Sequence, residues 1–415
     1  MCKVKMNLFE QYFDINPRIQ YYPEYDPKGV YEGYDCTGIQ AITYDGAEYL
    51  GKKTKVFAHI GFPANTDKPV PAIVLVHGAG GHPVDVWIRR WNERGYAAIS
   101  MELTGAFPSE YIKPEDYVAS KDDGQVWKYA RVMGEPFAEE GYTNTPDNPY
   151  TRDGLRPFEE HWDYQAMVAV ILAHNILRND ARVDADKIGV CGISWGGIVT
   201  STLIGFDRRF AFAIPIYGSG YLGYSLSKIG TDYCNPTMFP WLAERYFHDL
   251  KMPVMWLCYN DDAAFSLHSN SLSYLDTKDG NPNTCLSIRH QIGHSHWCGY
   301  RPPESYWFAD MVLYSEAIPT VDAVYRNGKV EYTCSAPVTR VRLFYLDQYM
   351  SYSYNRRRDP NRDIHCMDQE WKIVELDPAA HSADLPEKIV CRYMEFTLEN
   401  GIVLTTPYYE AGPRE

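Results

Sequence analysis

The sequence has little of what nucleic-acid-binding and membrane-spanning proteins need. It carries 40 lysines and arginines against 54 aspartates and glutamates, a formal net charge of −14. Nucleic-acid binding depends on basic side chains that neutralise phosphates, and no basic stripe is present, so we expect no nucleic-acid partner. We expect no membrane partner either, because the acidity disfavours an anionic lipid surface and no window approaches 18 consecutive apolar residues.

The chain also lacks the marks of exported and of nucleotide-binding proteins. Its N-terminus, MCKVKMNLFEQYFD, has neither the apolar stretch nor the cleavage site of a secretory signal. The 10 cysteines are scattered singly, which favours reduced thiols in a cytoplasmic protein over a disulfide framework. No G-x-G-x-x-G follows the first buried strand and no P-loop occurs, so we expect no cofactor. No oligomeric state follows from the sequence.

What the sequence does contain is an alternation of buried strands and helices. Apolar residues make up 45% and charged residues 23%, both typical of globular proteins. Antiparallel strands are predicted in 30–62, with a turn at Asp45-Gly46. Helices are predicted near 87–94, 160–180, from 196 and over 304–317, between strands at 72–76, 95–102, 187–191, 210–218, 252–260 and 284–291. This alternation predicts an α/β fold, a mostly parallel sheet with helices on both faces.

Two regions depart from that alternation. Residues 105–160 are rich in Tyr, Pro, Asp and Gly, and we predict an insertion over the sheet. After residue 318, Asn327-Gly328 and Asn400-Gly401 each stand between strand-like runs, which is a strong hairpin signal. The sequence therefore predicts a first domain of residues 1–317 and a C-terminal antiparallel β-sandwich of residues 318–415.

The segment IGVCGISWGGIVT, residues 188–200, places Ser194 between Gly192 and Gly196. It fits the G-x-S-x-G nucleophile elbow, in which a strained strand-to-helix turn lifts a serine above the sheet edge. The flanking residues must be tiny to avoid collision, and the helix that follows favours developing negative charge at its start. Ser194 is the predicted nucleophile. Gly218-Ser219-Gly220 also follows a strand but lacks the outer spacing, so we predict a loop there.

A serine nucleophile needs a base and an acid that orients the base. With this elbow the chain order is serine, acid, histidine. Asp261 comes first after the strand at 252–260 and is the favoured acid, with Asp262 as the alternative. In QIGHSHWCG, His294 directly follows a glycine and is the favoured base, with His296 as the alternative.

The backbone N–H of Trp195 is one predicted donor to the oxyanion. A second donor is expected from the loop HGAGG, residues 77–81, where small residues let amides approach the substrate oxygen. Our choice is the N–H of Ala79, with Gly80 as the alternative. His77 is predicted to be structural, because this loop serves to offer amides.

Another interpretation of the histidines is a zinc site made by His290, His294, His296 and Cys298. We disfavour it, since such sites recruit carboxylates or further cysteines at fixed offsets, and a metal site leaves the elbow unexplained. No metal is expected, and His290 is predicted to be a structural strand residue.

Taken together, KIGVCGISWGG, the upstream HGAGG, and the downstream MPVMWLCYNDD and QIGHSH resemble the α/β-hydrolase superfamily. Within it, residues 50–316 resemble acetyl xylan esterase-like and dienelactone hydrolase-like serine esterases, relatives of the prolyl oligopeptidase catalytic domain. The DQEWKIVEL, LPEKIV and TTPYY segments are similar to a C-terminal β-sandwich found in some of these relatives. The resemblance implies Ser194 as nucleophile, Asp261 as the orienting acid and His294 as the base.

This chain departs from the relatives at Cys258-Tyr259, where Gly-Thr is common, and at Asp262, where an aromatic residue is common. The expected function is hydrolysis of a small-molecule carboxylic ester, with acetyl esters of carbohydrates or other plant-derived compounds as candidate substrates. Residues 105–160 and 219–250 are expected to roof the pocket, and their aromatic side chains suit stacking on a sugar, with packing as the alternative role. The alternatives are a peptidase and a non-catalytic carbohydrate-binding protein on a hydrolase fold.

Overall fold

The computed structural model describes residues 8–23, 36–64, 67–105, 157–225, 228–262, 264–290, 292–314, 316–349 and 370–411, and four short strands between 108 and 133. Most of the insertion predicted at 105–160 therefore lies outside the described residues. The short strands form two antiparallel pairs, Pro108–Tyr111 with Arg131–Met133 and Lys121–Asp122 with Gln125–Val126.

A nine-stranded sheet forms the centre of the described structure. Its strands are β1 (Ile19–Tyr22), β2 (Gln40–Asp45), β3 (Lys55–Gly61), β4 (Val70–Val76), β5 (Ala97–Met101), β6 (Val183–Ile193), β7 (Ala213–Ile216), β8 (Met255–Tyr259) and β9 (Cys285–Arg289). They lie in the order β1-β2-β3-β5-β4-β6-β7-β8-β9. From β5 to β9 all neighbours are parallel, while β1, β2 and β3 pair antiparallel; β2 and β3 lie in the predicted range 30–62, and β1 was not predicted.

Helices follow the parallel strands. They are α1 (Asp85–Asn92), α2 (Trp162–Arg178), α3 (Trp195–Leu203), α4 (Lys228–Tyr233), α5 (Leu267–Thr277), α6 (His296–Tyr300) and α7 (Pro303–Leu313). Every residue of α2 before Arg178 is buried, because the helix packs on the sheet while other chain segments cover its outer side. Within the described part of the chain, no helix is both long and apolar enough to cross a bilayer.

The parallel strands are buried from end to end, as expected when helices cover both faces of a sheet. Every residue of β5, β7 and β8 is buried, and the apolar runs of β4 and the second half of β6 lie in the same core. Because parallel strands share one direction, the loops that follow β4, β6, β8 and β9 leave the sheet at the same edge. The predicted site residues lie in these loops.

The C-terminal region forms two antiparallel sheets. Its strands are β10 (Val321–Arg326), β11 (Lys329–Cys334), β12 (Val338–Leu346), β13 (Lys372–Leu376), β14 (Ser382–Asp384), β15 (Cys391–Leu398), β16 (Val403–Thr405) and β17 (Tyr409–Glu410). One sheet has the order β10-β11-β14, and the other has β13-β12-β15-β16, with β17 beside β15. Both predicted hairpins are present, and Asn327 and Gly328 have the positive φ angles of 50° and 74° that a tight hairpin turn requires.

The larger C-terminal sheet has two apolar faces because side chains alternate along its strands. Val341 and Leu343 of β12 share a cluster with Val330 and Tyr332 of β11 in the other sheet. Phe344, one position on, belongs to the main core of the protein instead. The two C-terminal sheets thus share a small core of their own. A sandwich arrangement and a domain boundary at 318 stay predictions.

Candidate active site

Ser194 sits on a sharp turn between β6 and α3. Its backbone N–H still donates to the Ile216 carbonyl of β7 at 2.9 Å, and its carbonyl already accepts from Ile198 of α3 at 3.1 Å. Between strand and helix the residue adopts φ 58° and ψ −120°, a conformation that is strained for a residue with a side chain. The turn predicted from G-x-S-x-G is confirmed by this geometry.

The two outer glycines of the motif occupy positions that admit no side chain. A Cβ atom at Gly192 would lie 2.1 Å from the Gly196 carbonyl oxygen, and one at Gly196 would lie 2.2 Å from the Val76 oxygen. Both contacts are with backbone atoms, which cannot rotate away. Small residues are required because helix α3 crosses directly over the ends of β4 and β6.

The imidazole of His294 lies between Ser194 and an aspartate. Ser194 Oγ is 2.8 Å from His294 Nε2, and His294 Nδ1 is 2.9 Å from Asp262 Oδ2. A carboxylate only accepts hydrogen bonds, so Nδ1 carries the proton and donates a hydrogen bond to Asp262. Nε2 is then the unprotonated nitrogen, and it accepts from the Ser194 hydroxyl.

The carboxylate that meets His294 belongs to Asp262 and not to Asp261, the acid favoured from the sequence. Asp262 is fully buried as a side chain, and its Oδ1 accepts from the backbone N–H groups of Ala264 at 2.7 Å and Phe265 at 3.0 Å. These amides follow it in the chain and pin one oxygen, which leaves Oδ2 directed at the imidazole. The order of the two aspartates after the strand therefore does not decide which one is the acid. The decisive contacts are the two downstream amides, which orient Asp262 toward His294.

Asp261 points away from His294, toward the C-terminal region. Burial raises the pKa of its carboxyl group to about 7, and the nearby Trp371 indole opposes that rise. The side chain is only 8% exposed, and its Oδ1 is buried without a hydrogen-bond partner. The two adjacent aspartates thus face opposite directions: Asp262 faces the imidazole and Asp261 faces the C-terminal region.

His296, the alternative base, contacts the glycine-rich loop 77–81. Its Nε2 accepts from the N–H of Gly78 at 2.8 Å, and a Cβ atom at Gly81 would lie 2.5 Å from the same nitrogen. Burial, together with the neighbouring His77 and His294, lowers the pKa of His296 to about 3, so the ring is neutral at pH 7. His296 therefore holds the loop and does not compete with His294 for Ser194.

The predicted oxyanion donors belong to the residue after Ser194 and to the loop that packs against Ser194 through Gly78. Trp195 is the first residue of α3, and its indole stacks on that of Trp162 with ring centroids 3.5 Å apart. Gly78 packs against the nucleophile, since a Cβ there would be 3.0 Å from Ser194 Cβ. Because the Gly78 N–H donates to His296, the next amide, that of the exposed Ala79, stays the predicted second donor.

His77 is buried behind the loop, as expected for a structural residue. Its Nδ1 is 2.7 Å from the Gly78 carbonyl, and its Nε2 lies 3.8 Å from Glu102 Oε2. Burial lowers the pKa of His77 to about 4, so its ring is neutral at pH 7, and raises that of Glu102 to about 7, so its carboxyl group is about half ionised there. Glu102 was not singled out from the sequence, although its place directly after the buried strand β5, at the same sheet edge, could have identified it.

Two aromatic residues that the sequence did not single out enclose the His294 ring. Phe265 stacks on it, with centroids 5.7 Å apart and an interplanar angle of 6°, and Tyr217 lies 4.5 Å away on a tilt of 37°. Tyr217 directly follows β7, has a positive φ of 32°, and its hydroxyl donates to the Ser295 carbonyl. These contacts fix the plane of the imidazole.

The histidines of the alternative zinc site have separate partners. His290 contacts Asn260, His294 contacts Ser194 and Asp262, and His296 contacts Gly78. Among the residues that the structure describes, no group of three or more His, Cys, Asp or Glu side chains is placed to hold a metal ion.

The chain is similar in structure to the acetyl xylan esterase from Paenibacillus sp. R4, with 14% sequence identity over 75% of this chain and 93% of that one, and a TM-score of 0.48. It is similar to acetyl xylan esterase 1 from Thermoanaerobacterium sp. JW/SL YS485, with 14% identity over 70% and 86% and a TM-score of 0.44. It also matches an acylaminoacyl peptidase from Pyrococcus horikoshii, with 14% identity over 61% and 37% and a TM-score of 0.41.

No protein-family model matches the chain, and no curated protein matches it. The structural similarities are distant, and the chemistry open to the site follows from its own geometry.

Proposed function

We propose that the protein is a serine hydrolase of carboxylic esters, with Ser194 as nucleophile, His294 as base and Asp262 as the orienting acid. The observation that carries the proposal is the continuous hydrogen-bonded chain from Ser194 Oγ through His294 to Asp262, with links of 2.8 and 2.9 Å. A hydroxyl on a strained turn, an imidazole in the correct tautomer and a buried carboxylate together activate a serine.

In the first half of the reaction, His294 Nε2 takes the Ser194 proton as Oγ attacks the carbonyl carbon of the ester. The imidazolium that forms is stabilised by Asp262 and then gives its proton to the departing alkoxide, which leaves as the alcohol. An acyl group remains on Ser194. In the second half, His294 deprotonates a water that attacks the acyl carbon, and carboxylic acid is released as Oγ recovers its proton.

The charge that develops on the carbonyl oxygen is proposed to be held by the backbone N–H groups of Trp195 and Ala79. The first turn of α3 contains no acidic residue, so the positive end of its dipole adds to this stabilisation. His296 supports the arrangement because it anchors Gly78, the residue before Ala79.

Replacing His296 with alanine is expected to lower kcat by about 10- to 100-fold with little change in KM, because the loop loses its anchor and the Ala79 amide its position. His296→Gln should retain most of the activity, since its amide oxygen can accept from the Gly78 N–H. Steady-state kinetics on p-nitrophenyl acetate measures both. Equal loss in the two variants, or a loss confined to KM, would contradict this role.

As substrates we propose acetyl esters of carbohydrates or of other plant-derived compounds. The sequence resemblance to acetyl xylan esterase-like enzymes supports this class. In 219–250, the segment expected to roof the pocket, Tyr224 is 59% exposed and suits stacking on a sugar. Trp241, in the same segment, is buried and donates to His161, so it packs and does not offer a stacking surface.

One set of assays tests the proposal. Purified protein is incubated with p-nitrophenyl acetate, with aminoacyl-p-nitroanilides and with acetylated oligosaccharides. Release of p-nitrophenol and acetate is the expected result. Cleavage of the anilides without ester turnover would favour a peptidase, and no turnover of any substrate by folded protein would contradict the proposal.

A further inference from the structure

The loop that carries the acid runs Asn260-Asp261-Asp262, and it is called the acid loop below. Its first residue is fully buried and reaches into the C-terminal region: Asn260 Nδ2 donates to the hydroxyl of Tyr393 in β15 at 3.0 Å. The same amide contacts His290 Nδ1 at 3.0 Å. Asn260 is thus held between the strand-end histidine and a tyrosine more than 130 residues away.

Tyr393 is itself held rigidly. It is fully buried and pairs with Phe344 across β12 and β15, where the two rings stack with centroids 4.8 Å apart and an interplanar angle of 7°. Trp371 packs edge-on against Tyr393 at 5.3 Å. A tyrosine fixed on two sides offers its hydroxyl at a defined point.

The second residue of the acid loop also faces this cluster. The Asp261 carboxyl group lies near the Trp371 indole, so two consecutive residues of the loop rest on C-terminal aromatic side chains. The third residue, Asp262, turns back to His294. The Asp262 carboxylate is therefore held by contacts on both sides of it in the chain: Asn260 is bonded to Tyr393, and the amides of Ala264 and Phe265 donate to Asp262 itself.

The C-terminal sheet is joined to the α/β unit by further buried hydrogen bonds. Thr405 Oγ1 of β16 accepts from the Ile288 N–H of β9 at 3.1 Å. Glu304 Oε1 of α7 accepts from the Val403 N–H at 3.1 Å. The Tyr408 N–H donates to Ser271 Oγ of α5 at 2.8 Å. These bonds fix the sheet against the strand and helices that flank the acid loop.

We infer that the C-terminal sheet completes the active site, with Tyr393 as a positioning residue that holds the acid loop so that Asp262 meets His294. This inference rests on the proposed hydrolase function. The inference gives the C-terminal region a definite role. The face of its larger sheet that carries Phe344 and Tyr393 supports the loop whose carboxylate orients the base. Tyr393 touches no reacting atom and acts through Asn260 and Asp262.

A looser acid loop has a predictable effect on the base. Asp262 holds the His294 ring in the orientation that accepts the Ser194 proton, so a weakened Asp262 contact lowers the fraction of molecules in which Nε2 faces Ser194 Oγ. The side chains that face the His294 ring are those of Asp262, Ser194, Phe265, Tyr217, Tyr259 and His296. Substitution at Tyr393 alters none of them directly.

The test compares Tyr393→Phe with Tyr332→Phe. Tyr332 is the matched control, because it is a buried tyrosine of β11 whose hydroxyl donates to the Asp377 carbonyl at 2.7 Å, inside the C-terminal region and away from the acid loop. For Tyr393→Phe we expect kcat to fall about 10-fold at nearly constant KM. The control should keep the wild-type kcat and KM.

Identical kcat and KM values for Tyr393→Phe, Tyr332→Phe and the wild type would overturn the inference. Should Tyr393→Phe not fold, Trp371→Phe, which keeps an aromatic ring but shrinks the one that packs edge-on against Tyr393, is expected to give a smaller change in the same direction.

A proton NMR measurement separates failure of this inference from failure of the proposed function. The low-field resonance of His294 Nδ1–H reports the contact with Asp262 whether or not esters are hydrolysed. It should shift or broaden in Tyr393→Phe and stay unchanged in Tyr332→Phe. An unchanged resonance in Tyr393→Phe would overturn the inference even if the wild type proved inactive on esters.

Discussion

Ester hydrolysis is expected to fall by roughly a million-fold when Ser194 is replaced by alanine, because the nucleophile and its general base act as one unit. The variant removes only Oγ. The backbone at Ser194 is already formed, with its N–H on Ile216 and its carbonyl accepting from Ile198, and alanine leaves both bonds in place. The fold should therefore persist, with far-UV circular dichroism unchanged, while initial rates on p-nitrophenyl acetate drop to background.

Ser219→Ala is the matched control. Ser219 also follows a parallel strand, in the Gly218-Ser219-Gly220 loop, and is fully buried with an Oγ that has no hydrogen-bond partner. Its loss should leave kcat within about twofold of wild type, since it removes no hydrogen bond that the fold uses. If Ser194→Ala kept wild-type turnover, or if Ser219→Ala were the inactive variant, the nucleophile would be misassigned.

The second large effect is expected from Asp262→Asn, which should lower kcat by about 10⁴-fold. An asparagine side chain can occupy the same space and still accept from the Ala264 and Phe265 amides through its oxygen. Its NH₂ group would then face His294 Nδ1, where it can only donate, so the imidazole would shift to the tautomer that carries its proton on Nε2. In that form His294 cannot accept from Ser194.

Asp261→Asn is the neighbouring control and should stay within about tenfold of wild-type kcat, because Asp261 makes no contact with the imidazole. Steady-state kinetics at pH 8 on both variants decides between the two carboxylates. Loss of activity in Asp261→Asn with near-normal activity in Asp262→Asn would restore the assignment favoured from the sequence and contradict the geometry.

The parallel sheet and the elbow could be predicted because their signals are local. A continuous apolar run such as MWLCY predicts a buried strand, and β8 is buried throughout. Asn327-Gly328 predicts a hairpin because both residues readily adopt the positive φ angles that the tight turn requires. The strand bounds shift where longer-range contacts intervene. β7 was expected over 210–218 but spans Ala213–Ile216, since Tyr217 takes a positive φ and ends the ladder to reach Ser295.

The choice between the two aspartates could not be made from their order along the chain. Both follow β8, and what separates them is direction: two downstream amides hold Asp262, while Asp261 faces an indole of the C-terminal region. At position 262 this chain has an aspartate where the esterases it resembles often have an aromatic residue. The choice of Asp261 as the acid was wrong there, because Asp262 is the carboxylate that contacts His294. The anchoring of Gly78 by His296 joins residues 218 positions apart, which no local pattern reveals.

The most direct measurement of the central claim is covalent capture of the nucleophile. Folded protein is treated with a fluorophosphonate, and the adduct is located by intact mass and peptide mapping. We expect one adduct per chain on Ser194, formed more slowly in Asp262→Asn than in Asp261→Asn. Absence of an adduct, or an adduct on Ser219 or another residue, would contradict an activated Ser194.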